Sequence, residues 1–139
     1  MRIATEKITL NTNGNADILN ITGDVQSFID KHGFSEGNAT VFVVGSTASI
    51  STIEYEAGLK KDLPEILDKL IPSKHTYNHN ETWGDHNGHA HLRSTIFGCS
   101  QTVPFIKGSL MLGTWQQLVL IDFDDRPRTR SVIVQIIGK

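Results

Sequence analysis

The residues with the clearest capacity for chemistry lie in one stretch, HTYNHNETWGDHNGHAH, from His75 to His91. Five of the chain's six histidines fall in these seventeen residues, accompanied by Glu81, Asp85 and Asn87. The stretch closes on His89-Ala90-His91, and the residues that follow read as a strand over 91–97. With that strand beginning at His89, the two imidazoles project from one face, because strand side chains alternate with a period of two. Two imidazoles on one face, with a further His or Asp nearby, make a donor set for a divalent metal. Asp85 is a candidate base, or the acceptor that fixes an imidazole tautomer. Beside Gly84 it equally suits a turn.

Other candidates are spread along the chain. Glu54, in the segment IEYE, is a second possible acid or base; in a strand it shares a face with Glu56, for which solvation is the plainer account. Ser100 and Thr102 present hydroxyls on one strand face, where they could donate hydrogen bonds to a phosphate. After Gly113, where a backbone can approach closely, come Thr114, Trp115 and Gln116. Trp115 could stack on a heteroaromatic ring or be buried in a core or subunit contact, and Gln116 can both donate and accept. The run Gly45-Ser46-Thr47-Ala48-Ser49 suits either a ligand approaching backbone or tight packing. His75 and His86 read as surface residues, and Arg93 and Arg128 as exposed arginines that could meet a diphosphate.

These residues must be positioned by a chain of 139 residues, enough for one domain with a sizeable core. Thirteen basic and fifteen acidic residues give a net charge of −2, which argues against a nucleic-acid partner. No apolar run approaches the roughly 20 residues of a membrane helix. The N-terminal residues lack the apolar core of a signal peptide. Cys99 is the only cysteine, which suits a reducing cytoplasm. Strands are expected at 2–10, at 17–21 after an Asn13-Gly14 hairpin signal, at 40–44 and at 50–56. Helices are expected at 24–32, stopped by Gly33, and at 63–70, with Pro64 in the first turn and Pro72 beyond the end. After the histidines come strands at 91–97, 101–106, 109–112, 114–122 and 131–137, the last two joined by the charged loop DDRPRTR. Strands dominate both ends and helices the middle. The expected fold is therefore α+β: a single compact domain over 1–139, strand-rich, with a mixed or antiparallel sheet and two or three helices.

Three motifs in order, GDHNGHAH, Ser100-Gln101-Thr102-Val103-Pro104 and Leu112-Gly113-Thr114-Trp115-Gln116-Gln117, resemble those of the YjbQ family, also called UPF0047. The resemblance runs from about Thr40 to the ending FDDRPRTRSVIVQIIG. Its GSTA and TIEYE segments look like the archaeal-type branch. Gly45 stands where bacterial members have a histidine, so no role for a histidine carries to that position. The resemblance implies an α+β fold assembling as a homotrimer and a cytoplasmic location. It also implies a thiamine-phosphate synthase activity, described as secondary, that joins hydroxymethylpyrimidine diphosphate to thiazole phosphate and releases pyrophosphate. His79 lies in a Tyr77-Asn78-His79-Asn80 stretch that the family pattern carries, which makes it the third expected metal ligand with His89 and His91. The metal, zinc or magnesium, would polarise a phosphate oxygen of a small phosphorylated substrate. Two other readings stay open: a metal-dependent hydrolase of small phosphate esters with Asp85 or Glu54 as base, and a non-catalytic trimeric module that binds a small ligand or metal.

Overall fold

The computed structural model describes residues 1–139. Its elements are β1 (Arg2–Thr12), β2 (Asp17–Asn20), α1 (Thr22–His32), β3 (Glu36–Val44), β4 (Ala48–Glu54), α2 (Ala57–Leu70), α3 (Asn78–Trp83), α4 (Gly88–Phe97), β5 (Ser100–Ile106), β6 (Ser109–Leu110), β7 (Gln116–Asp122) and β8 (Arg128–Gly138). They form an antiparallel five-stranded sheet, β1-β8-β3-β5-β6, and an antiparallel three-stranded sheet, β2-β7-β4. The fold is α+β, as its residue pattern implies.

Alternation explains how the sheets stack. Val132, Val134 and Ile136 of β8 and Ala39, Val41 and Val43 of β3 turn one face of the large sheet inward. They pack against Leu118, Leu120 and Ile50 of the small sheet, and α1 adds Val25, Phe28 and Ile29. The intervening residues of β7 point the other way. Val119 and Ile121, with Phe123 just beyond the strand, meet Leu67 of α2 and Ala90 of α4. The small sheet is thus covered on both faces, which is why β7 is a continuous apolar run rather than an alternating one. Each such side chain contributes about 1.5–3 kcal/mol on burial, so β7 is a firm anchor for whatever stands at its ends.

The largest departure from expectation is at 88–97, which is the helix α4 and not a strand. Ala90 and Ser94 lie one turn apart and are small enough for the helix to settle directly on β4. The Ser94 hydroxyl donates to the Ala48 carbonyl at 2.7 Å, and that of Ser49 to the Ser94 carbonyl at 3.3 Å. This close packing outweighs the β-branched Thr95 and Ile96 that suggested a strand. The helix α3 also lies inside the histidine stretch, where no helix was expected. α2 begins six residues earlier than expected because the Glu56 carboxylate caps it, accepting from Gly58 N at 2.7 Å and from Leu59 N. Pro64 therefore sits within the helix.

Asn13-Gly14 does not close a hairpin. It carries the chain from β1 in the large sheet to β2 in the small one, with Gly14, Asn15 and Ala16 at φ 72°, 54° and 63°. A Cβ on Gly14 would stand 2.5 Å from the Arg126 carbonyl oxygen, so only glycine fits. β8 begins at Arg128, three residues before its expected start, and takes Arg128 and Arg130 out of the charged loop. No helix is long and apolar enough to cross a membrane.

Candidate functional site

The apolar layer between the two sheets ends in a buried polar cluster. Asp122, the last residue of β7, faces the same way as Leu118 and Leu120, and Arg130 of β8 meets it from the large sheet. Arg130 Nε and Nη2 donate to the two Asp122 carboxylate oxygens at 2.7 and 2.8 Å, a bidentate pair. Thr12 Oγ1 also donates to Asp122, at 2.6 Å, and Arg130 Nη2 donates to Thr47 Oγ1 at 2.7 Å. Two residues on, Asp124 accepts from Thr47 Oγ1 at 2.9 Å and from Arg128 Nε at 2.8 Å. Both aspartates are fully buried. One donor group is left over. Arg130 Nη1 makes no protein hydrogen bond, and the atom nearest the missing side chain of Gly45 is this nitrogen, 2.8 Å from where a Cβ would be.

The histidine corner stands against this cluster. His79 on α3 and His91 on α4 lie with ring centroids 4.3 Å apart. His79 Nε2 is 3.2 Å from Asn87 Oδ1 and 3.6 Å from Asp85 Oδ2, and the Asn87 amide reaches Asp124 Oδ1 at 3.5 Å. A continuous polar path therefore runs from the imidazole pair to the buried carboxylates. Burial lowers the proton affinity of His91, and the His79 ring adds to that; Asp124, Asp85 and the Ser46 carbonyl pull the other way without offsetting it. Burial pushes Asp124 up, but hydrogen bonds from Asp125, Thr47 and Arg128 outweigh it and hold the carboxyl well below the usual range. Its neighbour Asp125 is raised, by desolvation first and then by the Asp124 carboxyl beside it. The corner thus offers neutral imidazole, fixed carboxylate and a more basic carboxylate within a few residues.

The expected site residues divide among four places. His79, Asp85 and His91 come together as described. His89 does not join them. Helical residues two apart point roughly 200° away from each other, and His89 is buried in a recess shared with Arg93 and Asp68. The expectation that His89 and His91 share one face fails because it required a strand. Glu54, Thr114 and Trp115 line another recess, of about 310 Å³, with Asn20, Tyr55 and Gln117. It lies at the Gln116 end of β7, roughly 20 Å along the strand from Asp122. Gln116 there serves its own turn, accepting from Gly113 N at 3.1 Å and donating to Thr52 Oγ1 at 3.2 Å. Ser100 and Thr102 lie on the outward face of the large sheet, where Thr102 Oγ1 pairs with Thr40 Oγ1 at 3.1 Å. Glu54 is therefore not placed to act with the histidines, and Ser100, Thr102, Thr114, Trp115 and Gln116 do not wall their corner.

Whether the histidine corner fits a metal can be judged from its donors. Asp85 Oδ1 is sealed from water and has no hydrogen-bond partner, a cost that a bound cation would remove. Two imidazoles, one of them held neutral, and a carboxylate suit a zinc-like ion. No three His, Cys, Asp or Glu side chains already converge as a cage, however, because His79 Nε2 is turned to Asn87. The donor chemistry fits; side-chain rotation must complete it.

Asp122, Asp124, Thr12 and Arg130 were not singled out from the sequence, whereas Thr47 lies in the small-residue run that was. A signal existed: Asp122 and Asp124 interrupt an otherwise apolar run at a spacing of two, and Arg128 and Arg130 repeat that spacing. Charges alternating into a buried strand end are seldom idle, since each must find a partner.

The fold and site define a small two-sheet α+β protein with a polar corner at the end of its central strand. The chain belongs to the UPF0047 family: residues 6–139 match the profile described as UPF0047 protein YjbQ-like. It is 35% identical over 139 residues to a UPF0047 protein of Methanothermobacter thermautotrophicus, covering 100% of this chain and 95% of that one. The UPF0047 protein YugU of Bacillus subtilis is 30% identical over 132 residues, 94% of this chain and 97% of its own length. Among solved structures, a YbjQ-like protein of unknown function from Sulfolobus solfataricus superposes with a TM-score of 0.93 at 30% identity, covering 99% of both chains. A YjbQ/UPF0047 protein from Clostridium acetobutylicum gives 0.87 at 34% identity, over 95% of this chain and 99% of that one.

Proposed function

We propose that the corner formed by α3, the first turn of α4 and the Asp122–Arg130 segment binds a phosphorylated small molecule together with a divalent metal, zinc or magnesium. The observation that carries this reading is the polar path that runs through Asn87 from the His79–His91 pair to the buried Asp122–Asp124–Arg130 cluster. His79, His91 and Asp85 are the residues that would hold the metal, and when bound it would supply Lewis-acid stabilisation of a phosphate oxygen. Arg130 contributes a donor edge beside Gly45 that the protein itself does not use. Arg128, half-buried on Asp124, adds a second cation at the rim. Guanidinium groups in this setting suit the planar recognition of phosphate oxygens.

The family resemblance supplies the reaction, thiamine-phosphate synthesis, described as a secondary activity. In it the carbon–oxygen bond to the diphosphate breaks, the thiazole nitrogen forms the new carbon–nitrogen bond, and pyrophosphate leaves. Arg128 and Arg130 would carry the charge that develops on the leaving group. Asp125, whose carboxyl is raised, is better suited to moving a proton than Glu54, which lies at the far end of β7. Hydrolysis of small phosphate esters would use the same corner with the metal held by the two imidazoles and Asp85 released to act as base, and a non-catalytic binding module would use it without turnover.

The same reading includes a homotrimer in a cytoplasmic compartment. Phe42, Val44, Ile106 and Ile137 are 41–53% exposed on or beside the outward face of the large sheet, a surface that a second copy could cover. The single cysteine is unpaired, in keeping with a reducing compartment.

The test uses untagged protein loaded with zinc or magnesium and assayed for pyrophosphate release from the two thiamine precursors, beside phosphate release from generic esters. Light scattering reports the oligomer. Coupling that depends on His79 and His91 supports the synthase reading, and ester hydrolysis alone selects the hydrolase. Failure to bind any metal or any diphosphate would sink both enzymatic readings.

A further inference from the structure

A second polar recess, of about 320 Å³, opens between α2 and α4 on the side of α4 away from His91. This is at the small end of the range for ligand sites. His89 and Arg93, one helical turn apart, form its floor with Ala16. All three are at least 95% buried. Glu65, Asp68 and Ser73 stand at its exposed mouth.

The floor residues are incompletely satisfied. Arg93 Nε and Nη2 both donate to the Ile71 carbonyl, at 3.2 and 2.7 Å, which ties α4 to the end of α2. Nη1 makes no hydrogen bond. The nearest carboxylate oxygen, Asp68 Oδ1, is 3.6 Å from Nη2 and already accepts from Ser73 N and Oγ at 3.0 Å. The Asp68 side chain is 61% exposed, so it is a poor counter-ion for a guanidinium that is 5% exposed. His89 Nδ1 is sealed from water without a partner; the His86 carbonyl is near enough to bias the ring but outside hydrogen-bonding geometry. Its Nε2 has no partner in the protein either. Anchoring of a helix end explains part of Arg93, but neither its free edge nor the adjacent imidazole. Arg93 Nη1 and His89 Nε2 are not sealed from water, so each is a free polar edge that a molecule in the recess can take up.

The charges are also ordered. A cation lies at the bottom and two carboxylates lie at the mouth. A simple anion reaching Arg93 must pass Glu65 and Asp68, and a simple amine drawn to those carboxylates gains nothing from the floor. We propose that the recess binds a small zwitterion, with its oxyanion on the free edge of Arg93 beside His89 and its ammonium between Glu65 and Asp68. The oxyanion is a carboxylate or a phosphate monoester, both of which fit a guanidinium edge. This is a separate site from the histidine corner.

Calorimetric titration of the full-length chain with β-alanine and with O-phosphoethanolamine tests it, against acetate, inorganic phosphate and ethylamine. The expected result is that one zwitterion binds at least about tenfold more tightly than each of its fragments. Which of the two does so identifies the oxyanion. Glu65→Gln, an exposed change that leaves the fold intact, should bring the zwitterion down towards the affinity of its anionic fragment. Arg93→Lys, checked for folding by circular dichroism, should weaken zwitterion and anion together. A His79→Ala variant should bind the zwitterion as the parent does. The proposal is overturned if neither zwitterion binds at millimolar concentration, if the fragments bind as tightly as the whole, if Glu65→Gln changes nothing, or if His79→Ala abolishes binding.

Discussion

The two ends of β7 carry opposite kinds of polarity. At the Asp122 end, polar groups are buried, held in fixed hydrogen bonds, and left with a spare donor at Arg130 Nη1 and a spare acceptor at Asp85 Oδ1. At the Gln116 end, the conspicuous GTWQ segment is exposed: Trp115 is 71% accessible, and Gln116 spends both ends of its amide on its own turn and on Thr52. A recognisable motif and a built site are therefore different things in this chain. Residues that bind are expected where burial has been imposed on polar groups and some valence is left over. The Asp122 end meets that condition.

The sharpest break between the ends should come from Arg130→Met. Removing the guanidinium strands Asp122 in a fully buried position, and breaking such a pair by deleting one partner costs about 3–5 kcal/mol. Urea unfolding should show that loss, whereas Gln116→Ala should cost about 1 kcal/mol or less for its neutral, exposed hydrogen bonds. The double variant Asp122→Leu, Arg130→Met should recover part of the difference, because no unpaired charge remains. Equal effects from the Arg130 and Gln116 variants would remove the contrast between the two ends.

Next in size is the loss of metal binding. The His79→Ala, His91→Ala double variant should stay folded, since both rings are only partly buried, and should lose zinc as read by metal analysis after dialysis. Losing one of two imidazole donors should already cost about tenfold or more in affinity. Full zinc retention by the double variant would move the metal elsewhere.

A smaller effect concerns pH in metal-stripped protein. His89 and His91 are both held below the ordinary value of 6.5, burial being the first cause in each. The unfolded chain therefore binds protons below about pH 6.5 that the native chain refuses, and stability must fall as pH drops through that value. Asp124 adds a second decline below its ordinary 3.8, because its carboxyl is held lower in the fold. Denaturant unfolding between about pH 5 and 8 should show the first decline, and His91→Ala should flatten it. A curve that is level from 8 to 5 in the parent would show that these rings are not held neutral.

Much of this arrangement was legible in the residues. Gly33 ends α1 in the left-handed conformation, φ 62°, as a helix-stopping glycine should. The apolar runs at 41–44 and 118–121 both became strands, but only the second is buried on both faces; in the first, Val41 and Val43 enter the core while Phe42 and Val44 turn outward. The α+β class followed from their order. What misled was the pair His89-Ala90-His91. A spacing of two is diagnostic only when the element is known, and α4 owes its helical form to Ala90 and Ser94 packing on β4, a tertiary cause. The Asp122–Arg130 cluster escaped for a related reason. Its members come from β1, the β3–β4 turn, β7 and β8, and no local pattern announces that four separate segments end at one point. Composition showed charges in DDRPRTR but not that some of them were buried.

The smallest expected effect is also the one that tests the comparison most directly. Trp115 is the residue a motif-led reading would choose as a stacking platform, and it stands at the wrong end of β7 for the histidine corner. Its side chain is mostly in water, so Trp115→Ala removes little buried surface and should change stability by about 0.5 kcal/mol or less, as exposed substitutions usually do. In an isolated protomer, diphosphate and metal affinity at the histidine corner should not move, because roughly 20 Å of strand separates the two places. If affinity does fall while unfolding is unchanged, the Gln116 end of one chain must reach the Asp122 end of another. Light scattering on that variant would then decide the matter: a weakened oligomer would join the two ends across a subunit contact, and an intact one would place Trp115 at the ligand itself.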